Sequence, residues 1–245
     1  MNNVIETVGL TVEFSSRCGV VQALDSLDLA VESGSIFGFL GPNGAGKTTA
    51  MHVLLGFISA TSGIASIFGD DVRHSIARQR IGYLPEIPET YKFLTGRELL
   101  MATGHLFLMK GKKLRSRVEE LLAMVGLDGA AERRTGTYSR GMLQRICLAQ
   151  SLVNDPDLLI LDEPTSGLDP VGRMKIREII LQLRTHGKTI FFSSHELSEV
   201  ELVCDRLAIL SQGRIVAEGR ASEIIPPGKD LEKYFLGVIG RTEHA

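Results

Sequence analysis

Residues 35–50 read S-I-F-G-F-L-G-P-N-G-A-G-K-T-T-A, and the fold turns on them. The apolar run from Ser35 to Leu40 suits a buried strand. Gly41-Pro42-Asn43-Gly44-Ala45-Gly46-Lys47-Thr48 then satisfies G-x-x-x-x-G-K-[ST] in full. From Lys47 onward, Ala50, Met51, Leu54 and Phe57 fall on one helical face. Strand, glycine loop and helix in direct succession make a phosphate cradle. Small residues let consecutive backbone N–H groups turn inward, and the helix N-terminus adds the positive end of its dipole. Lys47 supplies a point charge for the β- and γ-phosphates of a nucleotide and Thr48 a hydroxyl for Mg²⁺, with Thr49 joining the phosphate-binding set. The bland alternative, a chance glycine turn before a helix, fits the flanking elements less well. Gly187-Lys188-Thr189 repeats only the end of the motif: Gln182 stands where the first glycine is required, and the stretch enters a strand instead of leaving one. The sequence therefore has one phosphate loop.

Outward from this loop the pattern changes character twice. The opening, Asn3 to about Val31, reads as strand, with Leu27, Leu29 and Val31 on one face as in a half-buried antiparallel strand. Short strands follow at Ile64 to Phe68 and Arg80 to Leu84. The β signal then stops, and residues 87–138 read as helices, Arg97 to Met109 and Lys113 to Val125 being rich in Leu, Met, Glu, Lys and Arg. The core resumes with a helix at Gly141 to Val153, a strand at Leu158 to Leu161 and a helix at Pro170 to Thr185. A strand at Thr189 to Ser193, a helix at Glu196 to Cys204 and a hairpin turning at Gln212-Gly213 complete it. Alternating strands and helices predict a mostly parallel sheet.

The 245 residues are 44% hydrophobic and 23% charged, enough for one domain with a sizeable core. A net charge of −2, from 27 basic and 29 acidic residues, gives no global field to hold the chain on nucleic acid or an anionic membrane. The longest apolar-looking stretch, Leu99 to Met109, is too short and too polar to span a bilayer, and the N-terminus lacks a basic region followed by an apolar one. The sequence reads as neither secreted nor inserted. Cys18, Cys147 and Cys204 stand far apart, suit a reducing cytoplasm and read as packing residues.

Leu158-Leu159-Ile160-Leu161-Asp162-Glu163 is an apolar strand ending in two carboxylates, which places acids at the carboxyl end of a sheet beside the phosphate loop. Asp162 would hold Mg²⁺, directly or through water. Glu163 would orient and deprotonate an attacking water. A polar strand end before Pro164 would explain the pair without chemistry; beside a phosphate loop, chemistry is the stronger reading.

Tyr138-Ser139-Arg140-Gly141-Met142-Leu143-Gln144-Arg145 resembles the signature motif of ATP-binding cassette (ABC) proteins. The resemblance covers nearly the whole chain in the family's order, ending with Ser166-Gly167-Leu168-Asp169 as the D-loop and His195 as the switch histidine. It implies an α/β fold: a P-loop NTPase core with a mostly parallel sheet, an N-terminal antiparallel β subdomain and an inserted helical subdomain. The boundaries are 1–86 and 139–220 for the core with the β subdomain, 87–138 for the helices and 221–245 for a C-terminal extension without a motif. By resemblance, the chain binds ATP and Mg²⁺ and hydrolyses ATP to drive a membrane transporter, an exporter by the form of its signature. Ser139, Arg140, Gly141 and Asp169 then face the nucleotide of a second ATPase subunit packed head to tail, and His195 reaches the γ-phosphate. A permease would dock on the Glu86 loop and the helical segment, holding the protein at the inner face of the cell membrane. Tyr91, Phe93, Leu94 and Leu99 divide between that groove and the segment's own core. On residues alone, Ser139 and Asp169 are also good helix caps, Asp169 before Pro170.

Two positions depart from the family. Glu86 stands where Gln is usual; a carboxylate still ligates Mg²⁺ but cannot donate a hydrogen bond, so its sensing role is in question. Arg140 replaces the first signature glycine, and its guanidinium either strengthens binding of the partner's nucleotide or faces solvent. Phe14 is the candidate to stack on adenine, with a core position as the alternative. Cassette ATPases of nucleic acid or ribosomes, and a catalytically weak subunit of a heterodimer, are rivals. The first usually carry two cassettes or long coiled coils, and intact Lys47, Asp162, Glu163 and His195 argue against the second.

Overall fold

The computed structural model describes residues 3–16, 19–74, 76–224, 235 and 237. Cys18 and most of the 221–245 extension lie outside them. Two sheets organise the chain. In the first, β1 (Asn3–Ser16) and β2 (Gly19–Glu32) pair antiparallel as a long hairpin, with β4 (Ser62–Ile67) on the other side of β1 and the two-residue β5 (Asp70–Asp71) beyond it. Leu27, Leu29 and Val31 point inward, giving the alternation expected of a sheet with one wet face.

The second sheet runs β10-β9-β3-β8-β7-β6. Its strands β3 (Ile36–Leu40), β6 (Ile81–Leu84), β7 (Leu158–Leu161), β8 (Thr189–Ser194) and β9 (Arg206–Ser211) are parallel, and β10 (Arg214–Arg220) closes one edge antiparallel. Every residue of β3, β7 and β8 is buried, which is why β3 and β7 read as apolar runs, while β8 buries polar Thr189, Ser193 and Ser194 at its ends. One face packs Phe37, Phe39, Ile160 and Phe191 against the first sheet and α1 (Lys47–Leu54). The other packs Leu40, Leu159, Leu161 and Phe192 against helices. The β9–β10 turn has Gln212 and Gly213 both at positive φ, 46° and 79°, which matches the right-handed strand twist.

Residues 87–138 hold α2 (Gly96–Leu106) and α3 (Gly111–Met124), whose Leu99, Leu100, Leu114, Val118, Leu121 and Leu122 form a shared apolar seam. Thr95 and Glu98 start α2 with a reciprocal capping box. Leu99 belongs to this core, whereas Tyr91 and Phe93 are exposed with ring centroids 5.9 Å apart. After them come α4 (Arg140–Ser151), α5 (Pro170–Thr185), α6 (Leu197–Val203) and the short α7 (Ala221–Ile224).

One expectation fails inside this fold. Phe57 does not extend the buried face of α1: the helix ends at Leu54, Gly56 turns the chain at φ 71°, and Phe57 is 64% exposed. Its ring packs near His52 and Tyr83 instead, at centroid distances of 5.6 and 5.9 Å.

Candidate nucleotide site

Strand order builds the site. β3, β8 and β7 lie side by side and parallel, so the loop after β3, the residues ending β8 and the acids after β7 converge at one sheet edge, where ligands of open α/β sheets bind.

Two of the loop's three glycines, Gly41 and Gly46, are held there by contact. A Cβ on Gly41 would sit 2.5 Å from the Leu210 carbonyl oxygen. Gly46 caps α1 at φ 107°, and a Cβ there would sit 2.5 Å from the Ala23 carbonyl oxygen. The loop thus lies flush against β9 and β2 beside a cleft of about 360 Å³, lined by residues 42–49, Ala23, Glu86 and Glu163. Glu86 is an exposed wall of that cleft.

Lys47, at the first position of α1, is buried. Its Nζ donates to the carbonyl oxygens of Gly41 (2.7 Å) and Pro42 (3.2 Å) and pairs with Glu163 Oε1 at 3.4 Å. Thr48 Oγ1 donates to Asp162 Oδ2 at 2.9 Å. The other Asp162 oxygen accepts from Ser193 Oγ at 2.5 Å, and the same hydroxyl accepts the Glu163 N–H at 2.8 Å. Glu163 has φ 48°, a left-handed backbone that costs a non-glycine residue about 1–3 kcal/mol and turns its carboxylate back into the cleft. There Oε2 meets His195 Nδ1 at 2.7 Å and the His195 N–H at 3.4 Å, and Oε1 has only Lys47. Tyr83 on β6 stands behind: burial pushes its phenol up to about 12, helped by the Asp162 and Glu86 carboxylates.

Ser193 escaped the sequence reading. The only hint is that T-I-F-F-S-S ends an apolar strand with two serines just before His195; the register that sets Ser193 beside Asp162 is tertiary.

The signature residues form a separate hollow of about 330 Å³, which shares no lining residue with the first cleft. Ser139 Oγ accepts the Met142 N–H at 3.3 Å, capping α4, and Asp169 Oδ1 accepts the Gly172 N–H at 2.9 Å, capping α5. Gly141 lies between them in the hollow. Arg140 is solvent-exposed, the second of the two orientations weighed from sequence, and it also makes a contact within the chain: Nη2 donates to the Ser166 carbonyl oxygen at 3.1 Å, and the guanidinium lies over Gly167. Phe14 is 43% exposed on the β1–β2 hairpin, so it is no core residue, and it is not among the residues lining the phosphate cleft. Cys147 is buried and Cys204 half-buried; both are free thiols.

The donors facing Thr48 and Asp162 are hard oxygens, and Glu86 adds another in the same cleft. Among the described residues no three His, Cys, Asp or Glu side chains gather into a metal cluster. That set fits Mg²⁺, which takes one or two carboxylates and completes its shell with phosphate oxygens and water.

A glycine-rich G-x-x-x-x-G-K-T loop on a parallel sheet, with a carboxylate pair two strands away, defines a P-loop nucleotide-binding α/β protein. Residues 24–166 match the profile of the ABC transporter family, and the chain belongs to that family. An uncharacterized ABC transporter ATP-binding protein of Nostoc sp., all4389, is 50% identical over 84% of this chain and 62% of its own length. A counterpart in Synechocystis sp., sll0415, is 47% identical over 92% of this chain and 63% of its own. The chain therefore spans under two thirds of these relatives. The bacitracin transport ATP-binding protein BcrA of Bacillus licheniformis is 40% identical over 89% of the chain and 70% of its own length. A solved ATP-binding subunit of an ABC transporter superimposes with TM-score 0.84 at 26% identity, covering 96% of this chain and 99% of the other. No helix among the described residues is long and apolar enough to cross a membrane.

Proposed function

We propose that this chain is the ATP-hydrolysing subunit of a membrane transporter, working as a head-to-tail pair with a second copy or a homologous subunit at the inner membrane face. The observation that carries the reading is the array of Lys47, Thr48, Asp162, Glu163 and His195, linked by contacts of 2.7–3.4 Å at one sheet edge. The loop N–H groups and Lys47 bind the phosphates. Lys47 leaves Glu163 for the β- and γ-phosphates, which frees Oε1 to accept a proton from water. That water attacks the γ-phosphorus, the bond to the β-phosphate oxygen breaks, and ADP and phosphate leave. His195 holds Oε2 and steadies charge on the transferred group. Thr48, Asp162 and Glu86 would hold Mg²⁺, which when bound neutralises charge on the phosphates.

The signature hollow and the phosphate cleft are distinct in one chain, so each ATP would be enclosed by the cleft of one subunit and the hollow of its partner. The segment 87–138, with exposed Tyr91 and Phe93, would pass closure to a permease. Export is the favoured direction because relatives carry names such as bacitracin transport and Nod factor export. The test is Glu163→Gln with ATP and Mg²⁺. Wild type should release phosphate, whereas the variant should dimerise on ATP and lose turnover by about 10²-fold or more. Turnover at wild-type rate in the variant removes Glu163 as the base.

A further inference from the structure

Arg140 and Gly167 sit 27 positions apart, on the two turns that flank the signature hollow. Gly167 has φ 65°, and the space beside it is filled: a Cβ there would meet Arg140 Cζ at 2.3 Å and both terminal nitrogens at 2.4 and 2.5 Å. The guanidinium is planar and lies against a residue with no side chain, while Nη2 donates to the preceding carbonyl, Ser166 O, at 3.1 Å. Neighbouring contacts fix both ends. Arg145 Nε donates to Gly141 O at 3.2 Å on the α4 side, and Arg173 Nε to Leu168 O at 3.0 Å on the α5 side.

We propose that Arg140 is a positioning residue that staples the N-terminus of α4 to the Ser166–Asp169 turn of the same subunit, so that both walls of the hollow meet the partner's nucleotide as one body. The guanidinium fits this role better than the glycine usual at that position, since glycine has no side chain to reach the Ser166 carbonyl. A lysine would reach the carbonyl but could not cover Gly167 with a plane. The role in closure rests on the function proposed above; the staple itself does not.

Three variants in the full chain test it: Arg140→Gly, Arg140→Lys and Gly167→Ala. Without nucleotide, amide exchange over 165–169 should quicken about three- to tenfold in Arg140→Gly, the scale of one lost hydrogen bond. Arg140→Lys should restore part of the protection. In turnover, Arg140→Gly should lower kcat while the ATP affinity of the isolated subunit stays put, because the phosphate loop is untouched. Gly167→Ala should lower kcat more in the wild-type background than in Arg140→Gly, where the clash is gone. Unchanged exchange in Arg140→Gly overturns the staple. Faster exchange with unchanged kcat and unchanged ATP-driven dimerisation overturns its positioning role. A wild type that binds no ATP sinks the proposed function instead, and the exchange measurement still decides the staple.

Discussion

His195 Nδ1 lies 2.7 Å from Glu163 Oε2, and this contact leaves the carboxylate with one working oxygen. The other, Oε1, has no hydrogen bond among the described residues and pairs with Lys47 at 3.4 Å. A base held in this way keeps one oxygen buried beside the lysine, which the phosphates should draw off to open it to water. His195→Ala should therefore lower kcat by about 10²-fold, the usual loss for one preorganised polar partner, with little change in ATP affinity. Phosphate release and nucleotide titration on the same preparation separate the two; weakened ATP binding with normal kcat would show that His195 only shapes the pocket.

Ser193 is the residue through which Asp162 and Glu163 are held in register. Its hydroxyl gives its hydrogen to Asp162 and takes the Glu163 N–H, with no exposed surface. Ser193→Ala strands a buried carboxylate oxygen and a buried N–H, so urea unfolding should show a loss of about 1–3 kcal/mol. The Mg²⁺ concentration for half-maximal turnover should rise as well. A variant that matches wild type in both would mean that water replaces the hydroxyl at no cost.

Legibility followed locality. Leu158–Leu161 and Pro170–Thr185 have the bounds expected from sequence, because a fully buried strand is a bare apolar run and Asp169-Pro170 is a local helix start. The phosphate loop is equally local, its meaning contained in eight consecutive residues. What stayed hidden depends on partners distant in sequence. Ser193 acts through the β7–β8 register, and Arg140 through a carbonyl 26 residues away. Phe57 misled because helical periodicity runs on past Gly56, where a backbone at φ 71° breaks the helix.

The two G-K-T stretches should separate cleanly by mutation. In the loop that ends in the first, Gly41→Ala drives a Cβ to within 2.5 Å of the Leu210 backbone oxygen, which cannot swing aside. The loop must shift, costing about 1–3 kcal/mol and at least about tenfold in ATP affinity. In the second, Gly187 has φ 78° but nothing within 4 Å of its would-be Cβ, and Lys188 Nζ is engaged with Asp155 at 2.8 Å. Gly187→Ala should cost only backbone strain, about 1 kcal/mol or more, and Lys188→Ala should leave ATP binding untouched. Equal loss of binding in both sets would mean that the second stretch touches nucleotide.

Alkaline pH should weaken the fold through one buried and two half-buried groups. Burial pushes the Cys147 thiol from its usual 9.0 up to about 12 and the Tyr83 phenol from 10.0 up to about 12, and raises Cys204 well above 9.0, with Asp205 adding to the last. Each is raised in the folded state, so above pH 9 the unfolded chain has lost protons that the native chain keeps. Stability from these groups is complete below the unfolded values and falls as pH climbs from 9 toward 12. The slope is about 1.4 kcal/mol per pH unit for each group inside its window. Urea midpoints across this range should decline, and Cys147→Ala should flatten the decline from its start, whatever packing it also loses. Tyr83→Phe should flatten only the part above pH 10. If the decline keeps its slope in both variants, other groups drive the alkaline transition and the burial of Tyr83 and Cys147 does not govern it.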